Sequence, residues 1–207
     1  MGIDNKILED ITSQNGFKII REHAIKIHHS RSAQECFSLA NELYKNSDYR
    51  VEELGVFLFG YAAKEIPDAL VVLRDKVSKN SDWRVQEILA MAFDSYCAGV
   101  GYENALAIIR EWLSSDNANT RRAVTEGLRI WTSRPYFKEH PDEAIAYIAP
   151  LRSDESEYVR KSVGNSLKDI SKKHPDLIRA ELDRWDASSK EVLQVYKLAG
   201  KLLGACL

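Results

Sequence analysis

No run of apolar residues in this chain approaches the roughly 20 that a membrane-spanning helix needs. The opening MGIDNKILED is acidic and lacks an apolar centre, so it does not read as a secretory signal. Cysteine is scarce. Cys36, Cys97 and Cys206 are odd in number and have no metal-type spacing, which points to a reduced, cytoplasmic protein rather than a disulfide scaffold. There is no G-x-S-x-G elbow, glycine-rich phosphate loop or Cys-x-x-Cys pair. His23, His28 and His29 form no i, i+4 pair, so neither a metal site nor a cofactor is expected. A strong charge excess is also missing. The formal net charge of −2 does not mark a nucleic-acid binder, although a repeat scaffold can gather its basic residues on one face.

What is present is helical periodicity. With 207 residues, 44% of them hydrophobic and 29% charged, the chain can bury a sizeable core and does not resemble a disordered protein. In LGVFLFGYAA, DALVVLRDKV, ENALAIIREWL and VLQVYKLAGKLL the apolar residues recur three and four apart, as an amphipathic helix requires. No convincing alternating strand pattern or Asn-Gly hairpin signal appears. The expected fold is all-α, with eleven or twelve helices of about 10–18 residues.

The chain also repeats itself. SDYRVEELGVFLFGYA begins at Ser47, SDWRVQEILAMAFDSY at Ser81, NANTRRAVTEGLRIWT at Asn117 and ESEYVRKSVGNSLKDIS at Glu155. Each opens near a capping-type residue and runs into an apolar-periodic helix. A second helix follows each: IPDALVVLRDKV, GYENALAIIREWL, HPDEAIAYIAPL and HPDLIRAELDRW. Three of these enter through Pro-Asp, where proline suits the first turn and the acid suits the positive helix end. Helix pairs at a period of about 34–40 residues predict a right-handed α-solenoid of HEAT-like repeats with a concave binding face. A single domain over residues 1–207 is expected: capping helices over 1–46, four helix pairs over 47–187 and a closing helix over 188–207. The segment TSRPYFKEHP, residues 132–141, reads as an ordered loop. Its Arg134, Tyr136, Phe137 and Lys138 suit either a long turn or a nucleic-acid contact.

Aligned on their apolar positions, the four repeats place Glu53, Glu87, Arg122 and Lys161 at equivalent sites. Stacked repeats would set these side chains in a row, two acids followed by two bases, flanked by Arg50, Arg84, Arg121 and Arg160. A solvated face with helix-end charges would produce the same pattern. Trp83 argues for more. A large aromatic one turn before Glu87 on the same helix face carries a solubility cost with no structural return. Trp112, Trp131 and Trp185 lie inside the repeats and read as core.

The Trp83-x-x-x-Glu87 turn, followed by Arg122 in NTRRAVTEG, resembles the active-site arrangement of the AlkD and AlkC DNA alkylation repair glycosylases. RRAVTEGLRIWTSRP and SEYVRKSVGNSLKDISKKHPD are more similar to the AlkC branch. The resemblance covers roughly residues 45–185. It implies a HEAT-like enzyme that excises cationic N3- or N7-alkylated purines from duplex DNA without an extruded-base pocket. It also implies a cytoplasmic monomer, nucleoid-associated when bound to DNA. Two departures stand out. The carboxylate is Glu87 rather than aspartate, and Asn165 stands where AlkD-like proteins carry a second cleft tryptophan. That leaves Trp83, Tyr49 and Tyr158 as the available aromatics.

The resemblance implies catalytic roles for Trp83, Glu87 and Arg122. Glu87 would stabilise positive charge growing on the deoxyribose and hold the attacking water. Trp83 would face the cation, a contact worth roughly 0.5–2 kcal/mol. Arg122 would grip a phosphate, with Tyr49, Arg50, Arg84, Arg121, Tyr158, Arg160, Lys161 and Asn165 along the DNA. Two other classes remain open at this point: a non-catalytic nucleic-acid-binding protein, and a protein–protein scaffold.

Overall fold

The computed structural model describes residues 3–13 and 16–204. Cys206 lies outside them. Among the described residues the chain is all-α, with thirteen α-helices joined by turns and short 3-10 segments and no strand. Each of the four repeated segments forms a helix, and a second helix follows each, so the architecture is that of a helical repeat protein. The helices fall into two compact units, Met1–Gly101 and Tyr102–Leu207.

The first unit contains α1 (Asn5–Thr12), α2 (Lys18–Ser30), α3 (Ala33–Leu43), α4 (Tyr49–Ala62), α5 (Pro67–Asp75) and α6 (Trp83–Val100). α4 is its centre. Val51 and the whole run from Glu53 to Gly60 are buried, as expected for a helix apolar on nearly every side. It packs on α1, α2, α3 and α6. The α4–α6 crossing is close because Gly60 has no Cβ. One built there would lie 2.7 Å from both Cα and Cβ of Ala92. Both helices start the same way. Asp48 accepts a hydrogen bond from the Arg50 amide, and Asp82 does so from the Arg84 amide, satisfying donors that a helix start leaves open. The repeated S-D-aromatic-R is therefore a capping motif, and it sets Tyr49 and Trp83 at equivalent positions.

The second unit contains α7 (Leu106–Leu113), α8 (Ala118–Gly127), α9 (Pro135–Glu139), α10 (Pro141–Ile148), α11 (Glu157–Ser171), α12 (Pro175–Leu182) and α13 (Lys190–Ala199). α11 is central, between α8 and α13. Its link to α8 is polar as well as apolar. Ser166 donates to the Thr125 carbonyl at 3.1 Å and Ser162 donates to Glu126 at 2.9 Å, while Arg129, just past α8, meets Asp169 at 3.1 Å. Pro67, Pro141 and Pro175 each open a second helix, as their fixed φ and missing donor favour.

Two local expectations are corrected. The helix beginning at Asn117 does not run on to Thr132. It stops at Gly127, and Ile130 adopts a left-handed conformation, φ 58°, which is strained for a β-branched residue. The turn brings Trp131 to full burial, edge-on to Phe137 with ring centres 4.8 Å apart. Residues 132–141 are not a loop throughout, since Pro135–Glu139 is helical. Phe137 is fully buried, Tyr136 donates to Glu143 at 2.8 Å, and Arg134 donates to the Gly127 carbonyl. Lys138, exposed and beside Glu139 at 3.7 Å, is the member of that group left at the surface.

Candidate functional site

The sequence motif that repeats most closely also builds a cleft. Tyr49 and Glu53 from α4 and Trp83, Arg84, Glu87 and Ile88 from α6 line a space of about 570 Å³. Gly16 and Phe17, from the connection between α1 and α2, close one side. The i, i+4 spacing puts Trp83 and Glu87 on one face of α6. Trp83 is 70% exposed, far above the other three tryptophans. Trp112, Trp131 and Trp185 are core residues, as the periodicity predicts.

Among the described residues the cleft has one cationic lining residue, and that residue is engaged. Arg84 donates from Nε to Asp82 at 2.9 Å and from a terminal nitrogen at 2.6 Å. Its guanidinium lies 3.4 Å from the Tyr49 ring centre. The hydrogen-bonded Asp82 contact raises the Arg84 pKa and lowers that of Asp82. Arg50 closes on Asp48 in the same manner and also reaches the Thr12 carbonyl.

The corresponding arginines of the second unit are tied down too. Arg121 is 7% exposed and pairs with Asp154 at 2.7 and 2.8 Å, and it donates to the Ser115 and Asp116 carbonyls. Arg160 donates to the Asp154 and Glu155 carbonyls and to Gln194. Thus Arg50, Arg84, Arg121 and Arg160, expected along a phosphate track, each fasten a helix start to its surroundings. Arg122 sits half-buried on α8 in the second unit. Farther along, Tyr158 is 73% exposed, Lys161 is exposed and paired with Glu157 at 2.7 Å, and Asn165 accepts from Lys168 at 2.9 Å. The Glu87 cleft lies wholly within the first unit.

One cleft residue was missed as a functional candidate. Glu53 is only 4% exposed and lines the same space as Glu87. Burial pushes its carboxyl up to about 7, against the smaller downward pull of Arg84. The alignment of SDYRVEE with SDWRVQE already put Glu53 and Glu87 in register. In the structure that equivalence brings the two acids to one cleft.

Among the described residues no group of three His, Cys, Asp or Glu is placed to hold a metal ion. None of the described helices is long and apolar enough to cross a membrane.

Residues 11–194 match the family model for the DNA alkylation repair enzyme. The chain belongs to this family. Among solved structures it is similar to AlkD2 from Streptococcus mutans, 52% identical over 97% of both chains with a TM-score of 0.93. It is also similar to alkylpurine DNA glycosylase AlkC from Pseudomonas fluorescens, solved bound to DNA containing an abasic site analogue. There the identity is 18% over 89% of this chain and 64% of that one, with a TM-score of 0.52, a likeness of fold. An uncharacterised protein of Bacillus subtilis, YhaZ, is 41% identical over 87 residues. That match spans 40% of this chain and about a quarter of that protein. The Trp83 turn thus belongs to a family member whose fold is shared with the AlkD and AlkC proteins.

Proposed function

We propose that this chain acts on alkylation-damaged duplex DNA, and that the cleft of the first unit engages positively charged N3- or N7-alkylated purine nucleotides. Its reaction is hydrolysis of the N-glycosidic bond. One observation carries this reading: an exposed tryptophan, Trp83, shares a cleft with Glu87 one helical turn away. The leaving base of a cationic nucleotide needs little acid assistance. A carboxylate and an aromatic face suffice to stabilise the positive charge that grows on the sugar as the bond breaks. Glu87 would also orient the attacking water. Arg122 is assigned to a phosphate, with Tyr158, Lys161 and Asn165 along the backbone. The protein would work as a monomer in the cytoplasm and require no cofactor.

A second reading, lesion recognition without hydrolysis, is favoured by the arginines. Arg50, Arg84, Arg121 and Arg160 are committed to internal partners, which reduces the part these four can play in gripping a phosphate backbone. Release of base from duplex DNA carrying 7-methylguanine separates the two. Release that disappears in Glu87→Gln supports hydrolysis; lesion-selective binding with no release supports recognition alone.

A further inference from the structure

Three aromatic side chains and two carboxyl groups line the cleft, Phe17, Tyr49 and Trp83 with Glu53 and Glu87. The one cation among the described lining residues, Arg84, is already closed on Asp82 and stacked on Tyr49. Glu53 is more than nine-tenths buried and faces this space, and its carboxyl has no hydrogen-bond or ion-pair partner among the described residues. A carboxyl this far buried is costly to ionise unless something in the cleft supplies a partner.

The geometry points to a binding site for a flat organic cation in this cleft, where Trp83 covers the ring and Glu53 distinguishes a cation from a neutral ring of the same outline. This rests on the proposal that the cleft receives the cationic base, and names the residue that sets the preference. The site does not depend on the DNA backbone, so a small free cation should occupy it.

The charges bearing on Glu53 come from two helix starts. Asp48 and Arg50 belong to α4, and Asp82 and Arg84 to α6. Each pair is closed on itself, so their fields largely cancel and burial decides the carboxyl's state. Glu87 shares the cleft, while the α1–α2 connection brings Gly16 and Phe17, neither charged. Among the described residues none that lines the cleft comes from α3 or α5. The Glu53 carboxyl, pushed up to about 7 by burial, gains its negative charge as pH rises through that value. By linkage, a bound cation favours the ionised form and tightens over the same interval.

The test uses the whole chain and two small probes, 1-methylnicotinamide, a permanent cation, and nicotinamide, its neutral counterpart. Binding is read by saturable quenching of tryptophan fluorescence and by calorimetry between pH 6 and 8.5. The cation is expected to bind and nicotinamide not to saturate, with cation affinity rising up to about tenfold from pH 6 to 8 as the competent, ionised fraction grows. Glu53→Gln, a neutral side chain of the same shape, should keep residual binding and lose that rise. Trp83→Ala should lose binding at every pH. Equal affinity for the two probes overturns the proposal, and so does an unchanged pH rise in Glu53→Gln. Cation binding by a protein that releases no base from DNA leaves this site standing without the hydrolytic reading. Base release with no cation binding removes the site and leaves hydrolysis intact.

Discussion

The guanidinium of Arg84 lies 3.4 Å from the centre of the Tyr49 ring while two of its nitrogens are held by Asp82. Both residues are expected on DNA, and without DNA they hold each other. Neutralising a true phosphate contact removes about 0.9 from the slope of log affinity against log salt. Arg84→Gln is expected to leave that slope within about 0.3 of wild type. Titrating DNA at several salt concentrations checks it, and a full unit of lost slope would return Arg84 to the phosphate track.

Glu53 gives a pH prediction whose sign follows from its raised pKa. The fold favours the neutral carboxyl, so this stabilisation is fully present below the ordinary value of 4.5 and is lost as pH rises toward about 7. Glu53→Gln removes the loss. Its stability relative to wild type should increase between pH 4.5 and 7 and then level off, on the order of 3 kcal/mol higher. Denaturant melts at pH 5 and pH 8 measure the difference. A constant offset at both pH values would refute the assignment.

Arg121 is expected to matter to folding before function. Arg121→Ala leaves Asp154 as an uncompensated buried carboxylate, and breaking a buried pair this way costs about 3–5 kcal/mol. Thermal or denaturant unfolding reads it directly. A near-neutral result would mean that Asp154 finds water or another donor.

Gly60 connects fold to site. Gly60→Ala would force α4 away from Ala92 on α6, and overpacking of this kind costs typically about 1–3 kcal/mol. These helices carry Glu53 and Glu87, so cation binding should weaken as well. Quenching of the Trp83 fluorescence at matched folded fraction tests whether the cleft follows the helix spacing.

The repeat architecture was legible because SDYRVEELGVFLF and SDWRVQEILAMAF put caps, apolar stripe and acid in the same register. Trp83 was legible as an exposed aromatic because it stands one turn before Glu87, on the same helix face as that charge. The end of α8 was not, since Ile130 holds a conformation that usually signals glycine or asparagine. Only tertiary packing around Trp131 accounts for it. The arginines illustrate a different loss. Asp48 and Asp82 precede Arg50 and Arg84 by two residues, a spacing that permits a cap to clamp its own arginine, but charge counted along a face ignores local partners. Glu53 needed the third dimension. Its burial depends on the α4–α6 crossing and on a cleft partly walled by residues far earlier in the chain.

The most direct measurement is single-turnover release of 7-methylguanine from duplex DNA by the wild-type chain, Glu87→Gln and Trp83→Ala. The account predicts release by wild type, at least about a hundredfold slower in Glu87→Gln if that carboxylate supplies electrostatic stabilisation on the usual scale. Absence of release from wild type, or equal release from Glu87→Gln, would contradict it.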